Sequence, residues 1–296
     1  MKILSKYTVA IIGTGRVGTS LAMRLLKKNF DVQYLIEKSA KNLRIAKKIF
    51  GKKKIYPGLT RKIIEDSDVI IICTKDDDIR KIVKMISSFK TDFSEKIIFH
   101  TSGTETSAVF GKTPIPSKNC GSLHPIQTFS SISGDSGKYF KNIYITAEGG
   151  TGFLNFARYL CKVLEVKFIK TTPGKKQIYH IISVFVSNYL VSYFKTVSGI
   201  GKNAGIPENK FLDIFAPLIE TAYKNMKSSG FAKSLTGPIE RGDVLTVNKH
   251  KNILKNLDGK YEKLYELLGI EALKIALSKK SINWKKFKII EEKLKK

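Results

Sequence analysis

Short apolar runs alternate with amphipathic stretches over the first 170 positions of the chain. The runs Thr8–Ile12, Val32–Ile36, Val69–Cys73, Lys96–His100, Gly121–Leu123, Ile143–Thr146 and Val166–Ile169 have strand character. Between several of them apolar residues recur at helical spacing, as in Val17–Lys28, Ala40–Phe50, Asp78–Phe89 and Gly152–Leu164. Strands alternating with helices predict βαβ units and a doubly wound parallel sheet covered on both faces. After Thr171-Thr172-Pro173-Gly174 the pattern changes. No strand is predicted beyond it, and helical periodicity falls near 175–199, 208–228, 243–257, 259–278 and 283–294. The expected fold class is α/β, with a doubly wound domain over 1–171 followed by an all-α domain over 172–296.

The first of the later helices is apolar on nearly every face: Ile178, Ile181, Ile182, Val184, Phe185, Val186, Leu190, Val191 and Phe194. Such a helix is expected to be buried, or to form the spine of a helical domain or of a dimer. One polar stripe interrupts it. Lys176, His180, Ser183 and Ser187 fall at i, i+4, i+7 and i+11 and share one side of the helix. Burying a lysine and a histidine without partners costs several kcal/mol. The stripe is therefore expected to face a polar cleft, unless Lys176 sits in solvent and His180 in a satisfied core pocket.

The first strand runs into Gly13-Thr14-Gly15-Arg16-Val17-Gly18, a G-x-G-x-x-G turn that opens a helix. In that setting the first glycine permits the tight turn, the second lets backbone approach a diphosphate, and the third lets helix pack on strand. The helix N-terminus offers free N–H groups and a partial positive charge. These residues predict a Rossmann domain holding NADP or NAD. Glu37 ends the second strand, where an acid bonds the ribose hydroxyls of NAD. Lys38 and Ser39 follow it and would suit a 2′-phosphate.

In such sheets ligands lie beyond the carboxyl ends of the strands. Thr74, after the Val69–Cys73 run, and Ser102, after His100, are thus candidates for the nicotinamide site; as loop hydroxyls they could equally cap the next helix. His124 follows another apolar run and would move a substrate's hydroxyl proton as hydride moves at its carbon, or else only bond backbone near a turn. Lys176 is the first choice for protonating or polarising a substrate oxygen, with His124 competing and His180, Ser187 and Asn188 orienting. In Leu235-Thr236-Gly237-Pro238-Ile239-Glu240-Arg241-Gly242-Asp243, Asp243 reads as a helix N-cap. Arg241 would clamp a substrate carboxylate, or with Asp243 simply pin the loop.

Charge and cysteines narrow the picture. The chain holds 53 Lys and Arg against 25 Asp and Glu, a formal net charge of +28. Only seven of those cations are Arg, and the lysines are spread along the chain rather than gathered in one stripe. That favours a lysine-rich surface over specific nucleic-acid binding, and a field that draws in a small anionic substrate. Cys73, Cys120 and Cys161 are far apart and lack metal-ligand spacing, as in a reduced cytoplasmic protein with no metal site. No apolar run reaches a membrane span, and Met1–Lys6 is too short for a signal peptide.

The chain resembles bacterial proteins in which a Rossmann-like domain precedes the domain of unknown function DUF2520. The likeness rests on Gly13–Gly18, Ser102-Gly103, His124-Pro125-Ile126-Gln127-Thr128-Phe129, Tyr179-His180, Ser187-Asn188, Asn225, and Leu235–Asp243 with Thr246, Val247 and His250. That family is similar to the 6-phosphogluconate-dehydrogenase-like reductases, including ketopantoate and pyrroline-carboxylate reductases, among which NADP is common. Ketopantoate reductases carry a catalytic lysine where Lys176 stands, with an asparagine one turn on; His180 replaces it here. Prephenate dehydrogenases carry a serine and a later His-Pro pair similar to Ser102 and His124-Pro125. The resemblance implies an NAD(P)-dependent oxidoreductase acting on a small keto acid or imine, best matched by ketopantoate. The alternative is a dinucleotide-binding sensor without catalysis. A homodimer through the helical domain is expected, since its first helix is too apolar for a small domain to cover.

Overall fold

The computed structural model describes residues 7–295; the expectation about Met1–Lys6 lies outside them. Packing divides the chain into two compact units, the first ending at Asn188 and the second beginning at Tyr189. The sequence boundary at 171 marks a different event, the end of the last strand.

In the first unit, eight strands form one sheet: β1 (Thr8–Ile12), β2 (Asp31–Ile36), β3 (Ile55–Tyr56), β4 (Val69–Ile72), β5 (Ile97–His100), β6 (Cys120–Ile126), β7 (Tyr144–Gly149) and β8 (Lys167–Lys170). Their order is β3-β2-β1-β4-β5-β6-β7-β8. The central strands β1 and β4 are apolar without alternation because both faces are covered. Val9 and Ile11 of β1 pack into one core with Val69 and Ile71 of β4. Ala10, Ile12, Ile70 and Ile72 pack into the other. Helices α1 (Arg16–Lys27), α2 (Ala40–Phe50), α3 (Arg61–Asp66), α4 (Asp76–Ser88) and α5 (Thr151–Leu164) connect the strands. From β1 the chain winds outward in both directions, so a crevice opens between β1 and β4 at their carboxyl ends.

Three features depart from the sequence expectation. β3 and α3 are too short to give a periodic signal. The sheet is not wholly parallel, since β7 pairs antiparallel with β6, Ser122 opposite Glu148 and His124 opposite Thr146. A parallel return needs a crossover of a dozen or more residues, usually helical. Residues 127–143 hold only a short 3-10 turn, Ser136–Phe140. Finally, the helix expected over 175–199 is two helices, α6 (Pro173–Val186) and α7 (Asn188–Asn203). Ser187, at φ −126 and ψ −70, separates them. α6 is also not a buried helix: Ile178, Ile181, Ile182 and Phe185 are exposed, and Lys176 is its buried residue.

The second unit is helical, with no strand among its described residues. α8 (Glu208–Ser234) buries only Phe211 and loses helical geometry at Gly230 (φ 78). α9 (Val244–Lys255), α10 (Gly259–Ser278) and α11 (Trp284–Lys295) enclose Val247, Leu273, Ala276, Ile290 and Leu294. The buried Lys251 ties them, reaching Glu262 at 2.7 Å and the Leu294 carbonyl at 2.7 Å. No helix among the described residues is long and apolar enough to cross a membrane.

Candidate active site

The site grows from the turn after β1. Gly13 takes φ +98, and a Cβ there would lie 2.8 Å from the Cys73 carbonyl oxygen. A Cβ on Gly18 would lie 1.9 Å from the Gly13 carbonyl oxygen. Both glycines are thus required by the fold itself. Gly15 differs: nothing lies within 4 Å of the Cβ it lacks. It is the N-cap of α1, whose first turn has neither a side-chain cap nor an acidic residue. The orphan N–H groups and the positive end of the dipole are left for an anion.

A cleft of about 460 Å³ opens beside this turn, lined by residues that include Gly13, Gly15, Glu37, Lys38, Ser39 and Thr74. Glu37 is 8% exposed. Its carboxylate accepts from the Thr14 N–H (2.9 Å), the Thr14 hydroxyl (3.1 Å) and the Ser39 N–H (2.8 Å). The acid at the end of β2 therefore also shapes the glycine turn. The Thr74 hydroxyl is buried and has no hydrogen-bond partner among the described residues. An uncapped helix, open space at Gly15 and an unpaired hydroxyl in one cleft fit a dinucleotide.

A second cleft, of about 660 Å³, begins at the next residue of the same turn. Arg16 lines it together with His124, Gln127, His180, Ser187 and Asn188. His124 reaches it because β6 runs past the end of β5: the β5–β6 pairing stops at His100 opposite Ser122. His124 and His180 meet edge to face, ring centroids 5.5 Å apart and planes at 78°. His124 Nδ1 lies 3.3 Å from the Thr101 carbonyl oxygen, which selects the tautomer with the proton on Nδ1. Burial, then the charges of Lys176 and His180, lower its pKa to about 4, against the Thr101 bond and Asp76. His180 Nδ1 is buried with no hydrogen-bond partner among the described residues. Its ring lies against Gly103, where a Cβ would come within 2.2 Å of Nδ1.

Lys176 and Ser102 are near these groups but line neither cleft. Lys176 is 0% exposed. Its ammonium donates to the Ser102 carbonyl (2.7 Å) and to the Glu105 carbonyl. Burial lowers its pKa to about 8, opposed by the carboxylates of Glu148, Asp76 and Glu105. The Ser102 hydroxyl accepts the N–H groups of Thr104 (3.1 Å) and Glu105 (2.9 Å), so its oxygen is occupied in folding the loop. Ser39 caps α2 through a long contact to the Asn42 N–H, 3.5 Å. Arg241 and Asp243 belong to the second unit, where Asp243 caps α9 through the Thr246 N–H (3.0 Å) and hydroxyl (2.6 Å).

Sequence reasoning missed two buried groups. Glu148 of β7 is 2% exposed and binds the Ser107 N–H (2.7 Å) and hydroxyl (2.6 Å). His100 is fully buried, and Phe110 stacks on it with centroids 6.0 Å apart. An ionisable residue at or near the end of a strand was the available signal for each. Burial, partly offset by the bond to the Thr106 carbonyl, lowers the His100 pKa from 6.5 to about 4. Unfolding returns it to an ordinary imidazole. Stability from this group is thus complete above about pH 6.5 and falls as pH drops toward 4, by up to ~1.4 kcal/mol per pH unit. Denaturant titrations across that window should show the slope, and His100→Gln should flatten it by about that amount.

Residues 8–102 match the family described as NADP oxidoreductase, coenzyme F420-dependent. Together with the glycine turn this defines the class: an NAD(P)-dependent oxidoreductase, with NADP or NAD as cofactor. Residues 143–272 match DUF2520, a domain of unknown function. The chain is thus similar to proteins in which a Rossmann-like segment precedes a DUF2520 segment. Among curated proteins none matches its sequence. Its fold is similar to that of the candidate NADP oxidoreductase BF3122 from Bacteroides fragilis (20% identity, 92% of this chain and 100% of that one, TM-score 0.72). It is also similar to protein TM1727 from Thermotoga maritima (21%, 92% and 99%, TM-score 0.68). A third similar structure is a pyrroline carboxylate reductase from Plasmodium falciparum with NADP bound (13%, 94% and 98%, TM-score 0.61).

Proposed function

We propose that the protein reduces a small anionic keto acid or imine with NADPH, and that His124 exchanges the proton with the substrate. The observation that carries this is the second cleft, in which Arg16 of the glycine turn and the imidazoles of His124 and His180 share one lining. The bound nicotinamide would supply the hydride. His124, with its proton on Nδ1, turns Nε2 to the substrate as an acceptor, and it donates once protonated. A substrate carboxylate nearby raises its pKa from about 4 toward the working range, because an opposite charge favours the imidazolium. His180, Ser187 and Asn188 orient the substrate. Arg16 offers a guanidinium to its carboxylate, the part the sequence had given to Arg241.

Lys38, Ser39 and Asn42 line the first cleft beside Glu37 and support NADPH over NADH. Glu37 is already bonded to the glycine turn, which lessens its demand for ribose hydroxyls. Ketopantoate is among the keto acids to try, since the reductases that the chain resembles include the ketopantoate enzymes. The Plasmodium falciparum neighbour adds a cyclic imine acid to the candidates. The test is a screen of ketopantoate, pyrroline-carboxylate, prephenate and related acids with NADPH and NADH, followed by nicotinamide absorbance. Turnover of one class, faster with NADPH, supports the reading. Tight nucleotide binding without turnover of any of them favours the rival, a dinucleotide sensor.

Assembly as a homodimer belongs to the same proposal. α6 turns Ile178, Ile181, Ile182 and Phe185 outward, and Phe185 is 62% exposed. In the second unit α8 does the same with Leu212, Leu218, Tyr223 and Phe231. An exposed apolar face such as that of α6 marks an association surface, and soluble oligomers most often pair as twofold dimers. Light scattering at micromolar concentration should give twice the monomer mass of 33.2 kDa, and a monomer would refute it.

A further inference from the structure

The most buried charge of the first unit is not in either cleft. Lys176 leaves the first turn of α6 and ends on two backbone carbonyls, those of Ser102 and Glu105. Both belong to the loop that follows β5. The same loop presents the Thr101 carbonyl to His124 Nδ1 and Gly103 to the His180 ring. Within it the Ser102 hydroxyl gathers the N–H groups of Thr104 and Glu105 into a tight turn. One loop thus seats both cleft imidazoles, and one amine fastens that loop to α6, which also carries His180.

We infer that Lys176 is a positioning residue: it staples the 101–106 loop to α6 and so sets where His124 and His180 stand, touching neither substrate nor cofactor. The inference rests on the proposed role of His124. Two of the three ammonium hydrogens are taken by carbonyls, and zero exposure leaves no path to the cleft. The groups that bear on the amine are the carboxylates of Glu148, Asp76 and Glu105 and the imidazoles of His100 and His124. None of these carboxylates is hydrogen-bonded to the amine, so the carbonyls are its direct partners. A buried cation is tolerated only with such partners, and their loss would leave cation and carbonyls unpaired together. The loop and the lysine therefore hold each other.

The test uses Lys176→Met, Lys176→Arg and Gly103→Ala in the full chain, with histidine-selective NMR of the imidazoles, nucleotide titration and steady-state kinetics. Lys176→Met should keep nucleotide affinity, move the His124 and His180 signals, and raise the His124 pKa from about 4, because a lowering charge is gone. kcat should fall by on the order of 10–10²-fold through misplacement. Gly103→Ala should move the His180 signals while leaving Lys176 in place. Lys176→Arg keeps charge and donors but cannot give up a proton near neutral pH. It should retain kcat within about tenfold, whereas a proton donor at this position would lose about 10²-fold or more. Should Lys176→Met fail to fold, the arginine and alanine variants decide. Unmoved imidazole signals in a folded Lys176 variant that has lost turnover would overturn the inference. If the native protein turns over none of the acids, the proposed reaction fails, while the NMR comparison still judges the staple.

Discussion

Gly15→Val should leave the protein folded and weaken its hold on a dinucleotide by about 10²-fold. The three glycines of the turn separate fold from binding. A side chain on Gly13 or Gly18 would strike the chain itself, at the Cys73 or the Gly13 carbonyl. A side chain on Gly15 meets nothing within 4 Å, so the valine would occupy only the space beside the first cleft. A diphosphate approaching the α1 N–H groups must use that space. Forced overpacking costs up to about 3 kcal/mol, which corresponds to about 10²-fold in affinity. Fluorescence titration with NADPH should therefore show weakening of that order, with an unchanged melting temperature. Gly18→Ala should instead lower the melting temperature. Undiminished binding by Gly15→Val would remove the glycine turn from the site.

His124→Ala should lower kcat by about 10²-fold or more while NADPH still binds. His124 lines the second cleft only, so its loss leaves the first cleft intact. Its proton relations are set by burial and by the Thr101 carbonyl. The free imidazole is neutral above about pH 4. In the reductive direction kcat/KM should therefore rise as pH falls toward the pKa, and this acid limb should vanish in the alanine variant. A variant with unchanged kcat and raised KM would make His124 a binding group and leave the proton to another residue.

Most of what builds the first cleft was legible along the sequence, because it is local. A strand, a glycine turn and a helix N-terminus follow one another without interruption, and Glu37 ends the next strand. The two imidazoles were legible as candidates for a similar reason: His124 follows an apolar run, and His180 sits on a polar stripe. What the pattern could not carry was partnership across distance. Lys176 reads as the obvious proton donor, because a lysine at a helix start beside a cleft has the right chemistry. Its amine is spent on carbonyls some seventy residues earlier in the chain, which no periodicity records. Glu37 reads as a ribose ligand, and its bonds to Thr14 emerge only when β2 lies beside β1. The break at Ser187 carries no proline or glycine, so apolar periodicity ran through it. The direction of β7 had a readable cue in the missing crossover helix after β6.

Transfer of the hydride itself is the central claim, and isotope labelling tests it most directly. NADPH deuterated at the transferable position of the nicotinamide, incubated with the protein and a mixture of small keto acids and imines, should yield a product bearing one deuterium at the reduced carbon. The label should fall sharply with Gly15→Val and with His124→Ala. A product without deuterium, or label passing equally well in both variants, would contradict hydride transfer at this site.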